Sequence, residues 1–179
     1  MRVLIWHGWL LEGSGSNVAA AKLAETLRRK EHQVMVLCQE PHPERFGFID
    51  VAGTVAPDRV SLPDEAASVA NVVLLRPDIG SLLPVFVYDE YEGFEVKRFV
   101  DLTDRELSTY LDRNVEALRT VAEWWKPDVT FAGHAMPGPV VARRSLGERR
   151  APPGRVEPEV SPTEPASNAA VLDSRLNLA

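Results

Sequence analysis

A glycine- and serine-rich segment, Gly13-Ser14-Gly15-Ser16-Asn17, is the first candidate for chemistry in this chain. It separates a short apolar run from an amphipathic segment, so we expect it to join a strand to a helix. Small residues let backbone N–H groups approach a ligand, and the positive end of the following helix favours an anion. The segment predicts a ligand-facing loop. The alternative is a flexible cap in which Ser16 or Asn17 closes the helix.

The same segment departs from the dinucleotide-binding pattern G-x-G-x-x-G, because Val18 stands where the third glycine belongs. The connection that begins at His7 is also longer than the tight first turn of a dehydrogenase. A nucleotide-dependent oxidoreductase is therefore the weakest of the functions considered.

The histidines form the second group of candidates. His134 follows a buried strand and lies between Gly133 and Ala135; from its position alone it is either a structural residue or a ligand contact. His7, His32 and His42 have no metal-ligand spacing and the pattern HExxH is absent, so we expect no metal site.

Two further features are ambiguous or structural. Glu90 and Tyr91 form either a solvated turn or a sugar contact. Cys38 ends an apolar run and is expected in the core. As the single cysteine it excludes an intramolecular disulfide, which fits a reducing cytoplasm.

The elements that position these residues alternate between strand and helix. Such alternation predicts an α/β fold with a Rossmann-like, open, mostly parallel sheet flanked by helices. The predicted strands are Arg2–Trp6, Gln33–Cys38, Val72–Leu75, Leu82–Tyr88 and Asp128–Ala132, and the predicted helices are about Ser16–Lys30, Asp64–Ala70, Thr103–Trp125 and Pro139–Leu146. Ligands bind such sheets at the carboxyl ends of the strands, where His7, the glycine-rich segment, Glu90, Tyr91 and His134 would all lie.

Composition bounds the organisation of the chain. Its net charge of −6 argues against a nucleic-acid partner, since phosphate binding needs a basic face. The composition shifts near Gly147: residues 1–147 are expected to fold as one domain, and residues 148–179, with five prolines, to be disordered. We expect no signal peptide ahead of the strand at Arg2 and no spanning helix, which leaves peripheral membrane contact open.

Four blocks together resemble the amino-terminal domain of family 4 glycosyltransferases. The blocks are MRVLIWHGWLLEGSGSN at residues 1–17, QEPHPERF at 39–46, LPVFVYDEYEG at 83–93 and FAGHAMPGPVV at 131–141. The resemblance covers about residues 1–144, and the order and spacing of the blocks are more specific than any one of them. It implies the acceptor-side half of a GT-B fold, in which two Rossmann-like domains face each other across a cleft.

The resemblance also implies roles. Gly13, Gly15, Ser16 and Asn17 would lie near the phosphates of a nucleotide-sugar donor, His134 would be catalytic and face the transferred sugar, and His7, Glu90 and Tyr91 would lie on the side of a sugar, lipid or glycan acceptor. Transfer would retain the anomeric configuration, with the nucleotide sugar as co-substrate and no metal or other cofactor.

The chain departs from the family pattern in two places. Glu31 stands before His32, where the family commonly has a helix-ending glycine. After Arg144 the sequence does not continue into a donor-binding domain, so the chain resembles a truncated enzyme that is inactive alone. The alternatives are a non-catalytic binding module, or one chain of a split enzyme whose partner chain carries the donor domain.

Overall fold

The computed structural model describes residues 1–63, 70–87 and 89–147, and within them an α/β fold. The strands are β1 Arg2–Trp6, β2 Gln33–Leu37, β3 Val51–Ala56, β4 Arg59–Ser61, β5 Val72–Pro77, β6 Leu82–Val85, β7 Glu95–Arg98 and β8 Val129–Ala132; the α-helices are α1 Gly15–Arg29, α2 Asp104–Trp125 and α3 Gly138–Leu146. The short helix predicted over 64–70 falls almost wholly outside the described residues, as does the tail at 148–179.

Six strands form the main sheet, in the order β4-β3-β5-β2-β1-β8. Every pairing in it is parallel except that of β3 with the short β4. The expected α/β architecture with a mostly parallel sheet between helices is confirmed. From β1 the chain continues to β2 on one side of it, whereas the later strand β8 lies on the other side of β1. The direction in which strands are added therefore reverses at β1.

Both faces of the central strands are buried, as their near-continuous apolar sequences predict. One face carries Val3, Ile5, Val34 and Val36 and packs against the small side chains Ala20, Ala21 and Ala24 of α1. The other face, with Leu4, Trp6, Met35 and Leu37, lies in the larger cluster that α2 covers. The sheet is therefore held rigidly where its carboxyl edge carries the candidate site.

The ends of two helices are fixed by side chains. α2 begins with the predicted capping box, in which Thr103 and Glu106 each bond the other's backbone N–H. The expected cap of α1, Ser16 or Asn17, is corrected: the cap is Ser14, whose side chain accepts from the N–H of Asn17. Asn17 is free for another contact because Ser14 supplies the cap.

The prediction for residues 82–88 is partly wrong. β6 ends at Val85 and pairs in parallel with β7 in a separate two-stranded sheet. The place beside β5 in the main sheet is taken by β3, whose sequence VAGTVA has little apolar pattern to announce it. Leu83 and Val85 of β6 still pack into the core beneath α2.

Across the described ranges, no helix has the length and apolar character needed to cross a membrane.

Candidate functional site at the carboxyl edge of the sheet

A cavity of about 350 Å³ opens at the carboxyl ends of β1 and β8. It lies where the strand order reverses, which is the position at which open α/β sheets bind ligands. We call it the switch-point cavity; its lining residues are Trp9, Ser14, Ser16, Asn17, Val85, Phe86, Val87, Asp89, Tyr91 and His134. Three separate segments of the chain thus meet at one space: the start of α1, the segment after β6 and the turn after β8.

His134 adopts a left-handed backbone conformation, with φ of 63°. This conformation is unfavourable for a side-chain-bearing residue and marks positions that the surrounding structure holds in place. The imidazole ring lies 4.3 Å from the ring of Trp9 and 6.1 Å from that of Phe86, measured between centroids. Its Nε2 atom is buried and has no hydrogen-bond partner among the described residues. Burial lowers the pKa of His134, so the ring is neutral near pH 7.

Close backbone contact fixes the turn that carries His134. A Cβ atom on Gly138 would come within 2.1 Å of the carbonyl oxygen of Gly133, so only glycine fits at the start of α3. Gly133 in turn donates its N–H to the carbonyl of Trp6 at 2.9 Å, which ties the turn to the end of β1. The position of His134 is thus set by β1 and by α3 together.

His7 supports this wall of the cavity from behind. Its side chain is 2% exposed, stacks on His134 at 5.5 Å between centroids, and places Nε2 2.9 Å from Oδ1 of Asn17. Asn17 donates from Nδ2 to the carbonyl of Glu12 at 2.6 Å. Because that carbonyl only accepts, Oδ1 of Asn17 must face His7, and Nε2 of His7 carries the proton. Burial is the main cause that lowers the pKa of His7.

The loop between β1 and α1 is tied down at several points. Glu40 is 2% exposed and accepts from the backbone N–H groups of Leu11 and His42, at 3.0 and 3.1 Å. Trp9 accepts from the backbone N–H of Gln39 at 2.7 Å and donates from its indole to the carbonyl of Pro84 at 2.8 Å. These bonds hold the loop in one conformation, so it is not a flexible cap.

The structure brings some of the predicted residues together and leaves others apart. Ser16, Asn17, Tyr91 and His134 line the switch-point cavity. Gly13 and Gly15 flank the lining residue Ser14, and added Cβ atoms at either would meet nothing within 4 Å. His7 lies behind the wall, and the exposed Glu90 does not line the cavity.

Sequence reasoning missed the aromatic part of the wall. Trp9 is 5% exposed and Phe86 is 50% exposed, and their ring centroids lie 5.9 Å apart. A tryptophan three residues after a strand end, in a loop rich in small residues, is the one signal that could have pointed to Trp9. No sequence signal pointed to Phe86, because it was predicted to belong to a strand over Leu82–Tyr88, whereas β6 ends at Val85.

The cavity offers donors for an anion and rings for an apolar face. The backbone N–H groups of Gly15 and Ser16 make no hydrogen bond within the described residues, and they lie at the positive end of α1. The described part of the chain contains no group of three or more His, Cys, Asp and Glu side chains arranged to hold a metal ion. The connection from His7 to Ser14 is too long for a dehydrogenase turn.

Comparisons with models of known protein families, with curated protein sequences and with solved structures returned no match.

Proposed function

We propose that this chain is the acceptor-side half of a GT-B glycosyltransferase of family 4, which retains anomeric configuration when it transfers a sugar from a nucleotide-sugar donor. One observation carries the proposal: the start of α1 and His134 face the same cavity at the reversal of strand order. This is the arrangement needed to hold a diphosphate and the sugar attached to it side by side.

Each part of the cavity has a chemical task in this proposal. The free N–H groups of Gly15 and Ser16 stabilise the negative charge that builds on the departing diphosphate. His134, held neutral and rigid, presents a ring nitrogen to the transferred sugar without a charge that would repel the developing oxocarbenium ion. Tyr91, which also lines the cavity, contacts the acceptor. No metal takes part.

A second chain or domain completes the enzyme in this proposal, because the described residues contain a single Rossmann-like sheet. Within the part of the chain that the structure describes, the outer strand β8 is paired along one edge only, and Val129 and Phe131 on it are each 48% exposed. An unpaired edge with exposed apolar side chains is a surface on which a partner element can dock. A partner carrying the donor-binding domain is the complement that the proposal requires.

Titration of the ¹⁵N-labelled chain with a panel of nucleoside diphosphate sugars tests the proposal. We expect weak binding, no tighter than about 1 mM, with shifts at the amides of Gly15, Ser16 and His134. The His32→Ala variant is the control and should show the same shifts as the wild type, because His32 precedes the amino end of β2, at the opposite edge of the sheet. Shifts confined to other surfaces contradict the assigned site, and micromolar binding refutes the claim that the isolated chain is incompetent.

A non-catalytic binding module is the second candidate, and the aromatic wall favours it. Trp9, Phe86 and Tyr91 offer ring faces on which a sugar or an apolar group can pack. Such a module needs no donor domain but does need a partner or ligand of its own. Sedimentation of the purified chain at high concentration, alone and with cell extract, tests whether it binds a partner. A chain that stays monomeric in both cases counts against a binding module.

A further inference from the structure

Asp89 is the one charged side chain among the described residues that line the switch-point cavity. It lies in the segment after β6, together with the aromatic lining residues Phe86 and Tyr91. Burial lowers the pKa of His134 and raises that of Tyr91, so both of these lining residues are neutral near pH 7. A positive group in this part of the cavity is therefore attracted by Asp89 and repelled by no lining side chain that the structure describes.

One oxygen of Asp89 is available to a ligand. Its Oδ1 accepts from the backbone N–H of Glu90 at 2.9 Å, which orients the carboxylate. Within the described ranges, Oδ2 has no hydrogen-bond partner, and no Lys, Arg or His side chain forms an ion pair with Asp89. A carboxylate bonds a positively charged donor more strongly than a neutral one, so Oδ2 favours a cationic N–H group.

Phe86 supplies an accessible aromatic ring at a fixed position. It is 50% exposed, although its ring centroid lies 4.9 Å from that of Phe99 and 5.9 Å from that of Trp9. The cation nearest to Phe99 in the chain, Arg98, donates twice to Asp101, at 2.6 and 3.0 Å, so its charge is already compensated. An aromatic ring attracts a cation that lies within about 6 Å of its centre.

Tyr91 lies close to the same carboxylate. Burial is the main cause that raises the pKa of Tyr91, and the negative charge of Asp89 adds to this effect. Because such an effect weakens with distance, the carboxylate and the phenol oxygen lie within electrostatic reach of each other. The neutral phenol can accept a hydrogen bond, and its ring adds aromatic surface.

We infer that this part of the switch-point cavity binds a primary ammonium group, which contacts the carboxylate of Asp89 and the rings of Phe86 and Tyr91. We call these three residues the amine site. A carboxylate beside aromatic rings offers an alkylammonium ion both a charge-assisted hydrogen bond and a cation–π contact. An anionic group is repelled there by Asp89, and a neutral hydroxyl gains neither of the two charge-dependent attractions.

The cavity thus has two parts with opposite preferences. Ser14, Ser16 and Asn17 belong to the start of α1, where the positive end of the helix favours an anion. The amine site favours a cation. An acceptor that carries an amine is then the substrate class of the proposed transferase. This last step rests on the proposed function, whereas binding of an amine does not.

Three probes of similar size test the amine site: cyclohexylamine, cyclohexanol and cyclohexanecarboxylate, each titrated into the full ¹⁵N-labelled chain at about pH 7.5. We expect cyclohexylamine to cause saturable shifts at the backbone amides of Phe86, Asp89 and Tyr91 and at the indole N–H of Trp9. The expected dissociation constant is on the order of 1 to 10 mM, and cyclohexanol should bind about tenfold more weakly. Equal affinity for the amine and the alcohol, preference for the carboxylate, or no saturation by the amine overturns the inference.

Variants that each remove one charge locate the binding. Asp89→Asn should weaken cyclohexylamine binding by about tenfold, to the level of cyclohexanol. Glu92→Gln is the matched control: it removes a charge from the same segment, but the Glu92 side chain is 88% exposed and does not line the cavity. Its affinity should stay within about twofold of the wild type. Equal affinity of Asp89→Asn and Glu92→Gln, with both shown to be folded by thermal unfolding, overturns the assignment.

A third variant tests the aromatic contact. Phe86→Leu keeps an apolar side chain but removes the ring, so it should weaken binding of cyclohexylamine about threefold or more and leave that of cyclohexanol unchanged. An equal loss for both probes would contradict a cation–π contact.

The amine site and the proposed function fail separately. A chain that binds cyclohexylamine at Asp89 but shows no shifts at Gly15 and Ser16 with nucleotide sugars keeps the amine site and refutes the proposed function. The reverse result refutes the amine site alone.

Discussion

His134 lines the switch-point cavity and His7 packs behind it. Because burial lowers the pKa of both side chains, the stability of the folded chain depends on pH. The ordinary pKa of a histidine side chain is 6.5, and burial lowers the pKa of both residues below it in the folded chain. Between that value and the lower folded-state pKa, the unfolded chain binds more protons than the folded one. The free energy of unfolding therefore falls as the pH drops below about 6.5.

The pH prediction is checked by urea unfolding of the wild type and His7→Gln at about pH 7.5 and about pH 5.5. Glutamine keeps a donor for Asn17 but does not titrate, so this variant should lose less stability on acidification. His32→Gln, which removes a histidine far from the cavity, should behave like the wild type. An identical pH dependence in the wild type and His7→Gln contradicts a neutral, buried His7.

Glu31 illustrates how a single residue strains a helix end. It adopts φ of 59°, and its N–H and that of His32 bond the carbonyls of Arg28 and Leu27, which is the Schellman pattern that usually carries glycine. Glu31→Gly should raise the free energy of unfolding by roughly 0.5 to 1 kcal/mol. Denaturant unfolding measures this change in the free energy of unfolding. The control is Glu25→Gly in the middle of α1, which should lower stability by about 1 kcal/mol. A destabilised Glu31→Gly would argue against this backbone conformation.

At the scale of elements, Glu40 joins the loops after β1 and β2. Its two carboxylate oxygens satisfy two backbone N–H groups, those of Leu11 and His42. Glu40→Ala leaves both donors without a partner and should cost about 2 to 3 kcal/mol of stability. The neighbouring Glu44→Ala, whose side chain is 69% exposed, should change stability by less than about 0.5 kcal/mol. Chemical denaturation measures the free energy of unfolding of both variants. Equally small effects of the two substitutions would show that the loop does not depend on Glu40.

Elements with a strong apolar period were predictable from the sequence. β1, β2, β5, β8 and α2 lie close to their predicted bounds because buried parallel strands and long amphipathic helices leave a clear pattern. β3 and β7 were missed because VAGTVA and EVKR carry little such pattern, and their places are set by partners far along the chain. β6 was predicted too long for a similar reason: the apolar Phe86 and Val87 continue the strand pattern but lie in a bend.

The candidate site was predictable only in part. The rule that ligands bind at strand ends brought the glycine-rich segment and His134 to one edge without any coordinates. The same rule cannot tell a side chain in the wall from one behind it, so His7 and Tyr91 were grouped although one is buried and the other lines the cavity. A second cavity, lined in part by Gln39, Thr54 and Arg76, was not predicted, because these residues belong to three different strands or strand ends with no shared motif.

For the whole molecule, the main sheet places the switch-point cavity at the carboxyl edge of its strands. Among the described residues, β8 is paired along one edge only, and Val129 and Phe131 on it are each 48% exposed. We propose that a donor-binding domain, on another chain or on another part of a longer enzyme, covers this surface. Residues 1–147 would then work as the acceptor-side half of a glycosyltransferase.

The most direct test fuses residues 1–147 to the donor-binding half of a family 4 glycosyltransferase and measures release of nucleoside diphosphate from a panel of nucleotide sugars. The account predicts turnover by the fusion that neither half shows alone. His134→Ala should reduce this turnover by about 10²-fold or more, while the control His32→Ala leaves it unchanged and both variants keep the thermal stability of the parent. Turnover that is indifferent to His134, or a folded fusion that turns over none of the donors, would contradict the claim.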